Sequence, residues 1–347
     1  MARGKRFLIA IAGLVIFTGL SAVFAVSVGT SSVGFVDAAK ALLGAPVPSD
    51  ISAVVSYRVA RVALAAIVGL ALSSAGVTLQ ALLRNPLADP YILGVSGGGA
   101  LGAALYLTFA VEGFAAFGAA ATRWGLSGLA VAAFAGSLAA SAMVLLAGRK
   151  KGHILPGTLL LVGVMVNALS GAAVLAMTYL TDVAQSHQIV VWLMGNLGTL
   201  MLSKNALAAA AAAAVGLGGL LWLFAARLNL MSLGDEAAAH LGVNVGRTRF
   251  EAFALSALVT GLSVALAGPI GFVGLVVPHI TRSFVGADHR MLFPAAAVFG
   301  AGFLVLADAA ARSMKGGAEL PVGIITACIG APVFIWILRS RRGRYFE

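Results

Sequence analysis

Apolar residues in this chain fall into long, nearly unbroken runs. They show neither the two-residue alternation of a half-buried strand nor the narrow stripe of a surface helix. A run of roughly 20 mostly apolar residues is long enough to cross a bilayer as a helix. Ten segments fit that template: 7–28, 58–83, 92–111, 124–147, 155–180, 205–226, 250–268, 270–285, 291–311 and 321–338. The pattern predicts an all-α polytopic membrane protein with ten transmembrane helices, organised as one transmembrane domain over 1–347. The longest polar connections are 29–57 and 227–249, too short for a further globular domain. Phe7 to Val28 follows Arg3, Lys5 and Arg6 as in a signal peptide, but exceeds the usual apolar core of ~7–15 residues, so a retained first span is expected.

The polar breaks carry more information than the runs. Arg84-Asn85-Pro86-Leu87-Ala88-Asp89-Pro90-Tyr91-Ile92-Leu93-Gly94-Val95-Ser96-Gly97-Gly98-Gly99 separates the second and third segments. Pro86 and Pro90 each lack a backbone donor and restrict the residue before them. Irregular backbone at membrane depth survives only where protein buries it or where it borders water. The segment is therefore a candidate gate or contact surface. Residues 268–279, Gly-Pro-Ile-Gly-Phe-Val-Gly-Leu-Val-Val-Pro-His, interrupt the eighth segment in the manner of helices that line transport pathways. In 227–249, Ser232 and Asp235 have capping-box spacing and Gly242 suits a C-terminal cap, which predicts a short helix over 233–241.

Charge orients the segments. With the N-terminus cytoplasmic, sixteen of the 23 lysines and arginines fall on that side, including Arg3, Lys5, Arg6, Arg149, Lys150 and Lys151. Lys40, Arg58, Arg61, Arg123, Lys204, Arg312 and Lys315 fall outside. The positive-inside rule thus places both termini in the cytoplasm, and puts 84–99 and 233–241 on the cytoplasmic face. Arg58, Arg61 and Arg312 then stand at the outer rim, as snorkelling anchors or as receivers of carboxylates from a soluble partner. Asp308, four residues before Arg312, suits a local ion pair. Asn167, Ser170 and Thr178 lie near one face of the fifth segment; they line a pathway or hydrogen-bond a neighbouring helix. Gly69 with Ser73, and Gly98 with Gly102, have the four-residue spacing that lets membrane helices approach closely.

Composition excludes several classes. The chain is 61% hydrophobic and only 10% charged, unlike a soluble surface. The net charge of +11 is scattered between apolar runs, so no nucleic-acid partner is expected. Cys328 is the single cysteine, and the five histidines have no metal-ligand spacing. No phosphate-binding Gly-x-x-x-x-Gly-Lys loop, nucleophile elbow or acid pair appears, so no catalytic residue, metal or bound cofactor is assigned to the chain.

Asn85-Pro86-Leu87-Ala88-Asp89-Pro90 with Leu93-Gly94-Val95-Ser96-Gly97-Gly98 resembles the signature of the iron-chelate and cobalamin uptake permeases, the membrane subunits of type II ATP-binding-cassette (ABC) importers. Residues 271–279, 319–323 and 330–334 match further blocks of that family in the same order. The resemblance implies a homodimer in the cytoplasmic (inner) membrane, two cytoplasmic ATP-binding subunits that hold ATP and magnesium, and a periplasmic or lipid-anchored substrate-binding protein. It implies import of a ferric siderophore, haem or cobalamin. By the same resemblance Asn85 and Leu87 belong to a cytoplasmic gate. Leu233, Gly234, Asp235, Glu236, Leu241 and Gly242 belong to the ATPase-coupling segment, and Arg58, Arg61 and Arg312 dock the binding protein. The family's Arg-Leu-Pro-Arg is here Arg58-Val59-Ala60-Arg61, and its second gate region holds Leu155-Pro156-Gly157 instead of hydroxyl residues. A stand-alone ion-coupled secondary transporter is the rival reading; it needs an ion-binding carboxylate, for which Asp308 is the main candidate.

Overall fold

The computed structural model describes residues 2–29, 33–109, 127–150, 153–154, 156–198, 202–314 and 319–340. Leu155, Arg123, Lys151 and Lys315 lie outside the described residues. Fourteen α-helices account for almost all of the described chain. In chain order they are α1 (Ala2–Ser27), α2 (Phe35–Leu42), α3 (Ser49–Leu82), α4 (Val95–Phe109), α5 (Gly128–Ala147), α6 (Pro156–Leu180), α7 (Val183–Leu193), α8 (Lys204–Leu223), α9 (Ala225–Met231), α10 (Asp235–His240), α11 (Val245–Ala267), α12 (Val273–Val285), α13 (His289–Ser313) and α14 (Val322–Ser340). A short 3₁₀ turn, Pro90–Leu93, precedes α4, and a two-residue antiparallel ladder pairs Arg149–Lys150 with His153–Ile154. Seven helices are long and apolar enough to cross a membrane, and α4, α12 and α14 are shorter apolar helices. The fold is all-helical and polytopic, and a helix overlaps each of the ten expected segments.

α3 is the axis. Its 34 residues extend for roughly 50 Å at 1.5 Å per residue, well beyond the hydrocarbon core. It starts at Ser49, nine residues before the expected span, because an apolar window detects only the part of a helix that meets lipid. α8, α11, α12 and α13 pack around it. α11 also packs on α5, α4 packs between α5 and α6, and α1 lies against α13. α1 is mostly exposed; Thr18 Oγ1 donates to the Val298 carbonyl at 2.9 Å, and the Phe17 and Phe299 rings sit 5.5 Å apart.

Small residues set these crossings. A methyl group on Gly76 would strike the Gly274 carbonyl of α12, and one on Gly69 would strike that of Gly300 in α13. Gly98 and Gly102 meet Gly136 and Ala132 of α5 in the same way. Without a hydrophobic driving force between helices in lipid, such backbone proximity supplies the packing.

The chain breaks between α11 and α12, where Gly268 and Phe272 both have φ of +69°. Pro278 lies inside α12 and does not end it. Its ring leaves the carbonyl four residues earlier without a helical donor. Gln80 of α3 covers that gap: its Nε2 donates to the Leu275 carbonyl at 3.1 Å and to the Gly274 carbonyl at 3.5 Å. Its Oε1 accepts from Arg282 Nη2 at 3.2 Å. Gln80 is 3% exposed. Replacing it with leucine is expected to lower stability by about 1–3 kcal/mol, since the freed carbonyls have no water to turn to. A lower thermal midpoint of the purified chain in detergent checks this.

Candidate functional site

The short helix expected over 233–241 is shorter than its sequence suggested and is capped differently. α10 runs from Asp235 to His240, and its N-cap is Gly234, with φ of +127° and no side-chain cap. Ser232 does not close a capping box: its Oγ donates back to the Asn229 carbonyl at 2.6 Å, which spends it on the end of α9. Gly242 does end the helix as expected, with φ of +85° and the Val243 N–H donating to the Ala238 carbonyl. Ala238 is fully buried and fixes the inner face. Leu233 and Leu241 flank the helix at 68% and 59% exposed, and Glu236 is exposed between them.

The loop after α3 is built from its own side chains. Asn85 Oδ1 accepts from the Leu87 N–H at 2.9 Å, an Asx turn that Pro86 pre-sets. Asn85 and Leu87 are half-buried, and Ala88 beneath them is fully buried. Asp89 caps the 3₁₀ turn by accepting from the Tyr91 N–H at 2.8 Å. The loop is also bolted to the break between α11 and α12. Tyr91 Oη accepts from the Ile270 N–H at 2.7 Å, and the Asp89 carboxylate accepts from the Phe272 N–H. Burial of Asp89 pushes its carboxyl up to about 6, against the downward pull of its two backbone donors. Nothing in the sequence joined these two irregular segments, although both had been singled out.

The side chains expected to line a pathway divide. Asn167 ties α6 to the loop: its Nδ2 donates to the Tyr91 carbonyl at 2.8 Å and its Oδ1 accepts from the Gly97 N–H at 3.0 Å. It also borders an open groove of about 460 Å³ with Asp89, Ser96, Phe272 and Leu275. Ser170 is buried against Gly97, and the Thr178 hydroxyl folds back onto the Leu175 carbonyl. The groove brings Asn167 together with the loop after α3 and the α11–α12 break, and Ser170 and Thr178 are not among its lining residues.

At the opposite end, Arg58, Arg61 and Arg312 are 3%, 2% and 2% exposed. Arg61 Nε reaches both Asp308 oxygens at 3.0 and 3.1 Å, and its Nη1 pairs with Glu319 and Tyr57. Arg312 Nε donates to Asp308 at 2.9 Å, and its other nitrogens donate to the Val28 and Ala25 carbonyls. Arg58 donates to the Val26 carbonyl at 2.9 Å. The arginines therefore clamp the C-terminal end of α1 to α3 and α13. Within this chain none of the three presents its charge outward. Asp308 has its expected partner Arg312, and Arg61 as well.

Residues 13–340 match the FecCD transport family. The chain belongs to this family. It is 44% identical over 292 residues to the hemin transport system permease protein of Yersinia pestis, covering 83% of this chain and 84% of that one. It is 41% identical over 290 residues to the cobalamin import system permease protein of Halobacterium salinarum, covering 83% and 74%. A solved chain described as an inward-facing conformation of a metal-chelate type ABC transporter superposes with a TM-score of 0.80 at 30% identity, covering 96% of this chain and 99% of that one. A FecCD chain is a multi-pass transport permease.

Two outcomes test the geometry of this FecCD chain. Asp308→Asn is expected to cost about 3–5 kcal/mol, because two buried guanidinium groups lose their shared counter-charge. Glu319→Gln costs less, since the Glu319 side chain is 34% exposed. Thermal midpoints in detergent separate the two. Asp89 gives a pH signature. Its folded value of about 6 exceeds the ordinary 3.8, so its contribution to stability is complete below pH ~4 and is lost as pH rises through 6. A fall in the thermal midpoint over that window, absent in Asp89→Asn, is the expected result.

Proposed function

We propose that this chain is the permease subunit of an ABC importer that moves a metal chelate across the cytoplasmic (inner) membrane. The chelate class is that of ferric siderophore, haem or cobalamin, in keeping with the names of its relatives. The reading has ten spans with both termini cytoplasmic, and two copies of the chain enclose the pathway. Two cytoplasmic subunits bind ATP with magnesium, and a periplasmic or lipid-anchored protein delivers the chelate outside.

One observation carries the mechanism. A short helix projects from the face predicted to be cytoplasmic, with exposed Leu233, Glu236 and Leu241, and it touches the loop that begins at Arg84. An exposed apolar pair around a carboxylate fits a groove on a soluble partner. In this scheme ATP binding in the partner moves α10, the bundle switches between two packed arrangements, and Asn85 and Leu87 open or close the inner end of the pathway. The pathway wall, with Asn167 at the groove, holds the chelate weakly, and affinity resides in the binding protein.

The ion-coupled alternative loses its main support in Asp308. Two arginines pair with that carboxylate within the bundle, so both of its oxygens are already engaged.

Proteoliposomes holding the chain with its ATPase and binding protein provide the test. ATP-dependent uptake of labelled hemin, a ferric siderophore or cobalamin is expected, with Glu236→Arg reducing uptake at least tenfold while the chain still inserts and purifies. Uptake that follows an ion gradient and ignores ATP would overturn the proposal.

A further inference from the structure

Arg84 sits where the backbone asks for glycine. It lies just past Leu83, the residue that caps the end of α3, and has φ of +46°. Its own N–H donates to the Ala81 carbonyl at 3.2 Å, and the Asn85 N–H donates to the Gln80 carbonyl at 3.1 Å, so the pair closes the helix end. A left-handed residue with a Cβ costs roughly 1–2 kcal/mol relative to one without. Strain of this kind persists where the surroundings hold it and a role requires it.

The side chain supplies that role. Arg84 Nε donates to the Met231 carbonyl at the end of α9, at 3.1 Å. Its Nη2 donates to the carboxylate of Asp235, the first residue of α10. Arg249 of α11 reaches both oxygens of the same carboxylate at 3.0 Å, and its side chain is 7% exposed. Asp235 is thus seated on the buried Arg249 and extends one contact to the loop. That contact lies next to Asn85, at the start of the gate loop. The far end of the loop is held by Asp89 and Tyr91 on the α11–α12 break, where Phe272 is, among the described residues, the other non-glycine with positive φ.

We propose that Arg84 is a positioning residue that transmits the place of α10 to the gate loop, through Asp235 and the Met231 carbonyl. The Arg84 and Asp235 side chains are 43% and 44% exposed, so the pair contributes little stability. Its value is geometric, since a shift of α10 re-aims the residue next to Asn85. A glycine at 84 relieves the backbone and cuts the link, which separates this role from a structural one.

The inference rests on the importer reading, and its test has one arm that does not. In the purified chain alone, Asp235→Asn removes the carboxylate that Arg84 holds, and Arg249→Lys, which leaves Arg84 its partner, is the control for the α11 side of that carboxylate. Backbone amides of Leu87 and Ala88 in Asp235→Asn are expected to exchange hydrogen at least fivefold faster than in the unaltered chain. Exchange at those amides unchanged within twofold overturns the inference, whatever the complex transports. In the reconstituted complex, Arg84→Gly is expected to keep or raise the thermal midpoint, to co-purify with the ATPase and to hydrolyse ATP at the basal rate. Its uptake falls at least tenfold, and Arg84→Lys, which reaches one partner at a time, restores part of it. Uptake by Arg84→Gly within twofold of normal overturns the inference, as does a lowered thermal midpoint with loss of the ATPase. An unaltered complex that takes up no chelate overturns the importer reading alone and leaves the exchange result standing.

Discussion

A break in a membrane helix frees backbone donors and acceptors that need partners, and in this fold side chains distant in sequence supply them. Gln80 of α3 covers the carbonyls near Pro278 in α12. Tyr91 and Asp89 take up the N–H groups of Ile270 and Phe272. Asn167 of α6 does the same for the backbone at Tyr91 and the start of α4. The irregular segments are tolerated because they satisfy one another. They are consequently joined, and a change in one is felt by the next.

That joining has a direction along the molecule. One end is closed by Asp308 between Arg61 and Arg312, with the last turn of α1 held by arginine donors. Those charges are buried, so the clamp is costly to open by breaking one partner and weak evidence for net stability. The opposite end is looser. There the half-exposed Arg84–Asp235 pair connects α10 to the loop after α3.

Much of this was legible beforehand where the signal is local. The small-residue pairs Gly69–Ser73 and Gly98–Gly102 do mark close crossings, because a missing side chain means the same thing in any context. Gly242 ends α10, since a left-handed terminus favours glycine. Local spacing misled at Ser232, where two helix ends compete for one hydroxyl and the end of α9 takes it. The burial of Arg58, Arg61 and Arg312 was likewise beyond local reading. Sequence placed them at the rim, and only the crossing of α1 over α3 and α13 buries them.

Sequence alone determined the polytopic all-helical architecture, the sites of its breaks and its family, because apolar run length, proline and glycine act on the chain that carries them. Tertiary structure alone decided which side chain serves which break. Arg61 and Asp308 are 247 residues apart, Gln80 and Leu275 are 195, and Arg84 and Asp235 are 151. Hydropathy has no term for such pairs. They exist because backbones meet at glycine crossings closely enough for a glutamine or an arginine to span the gap.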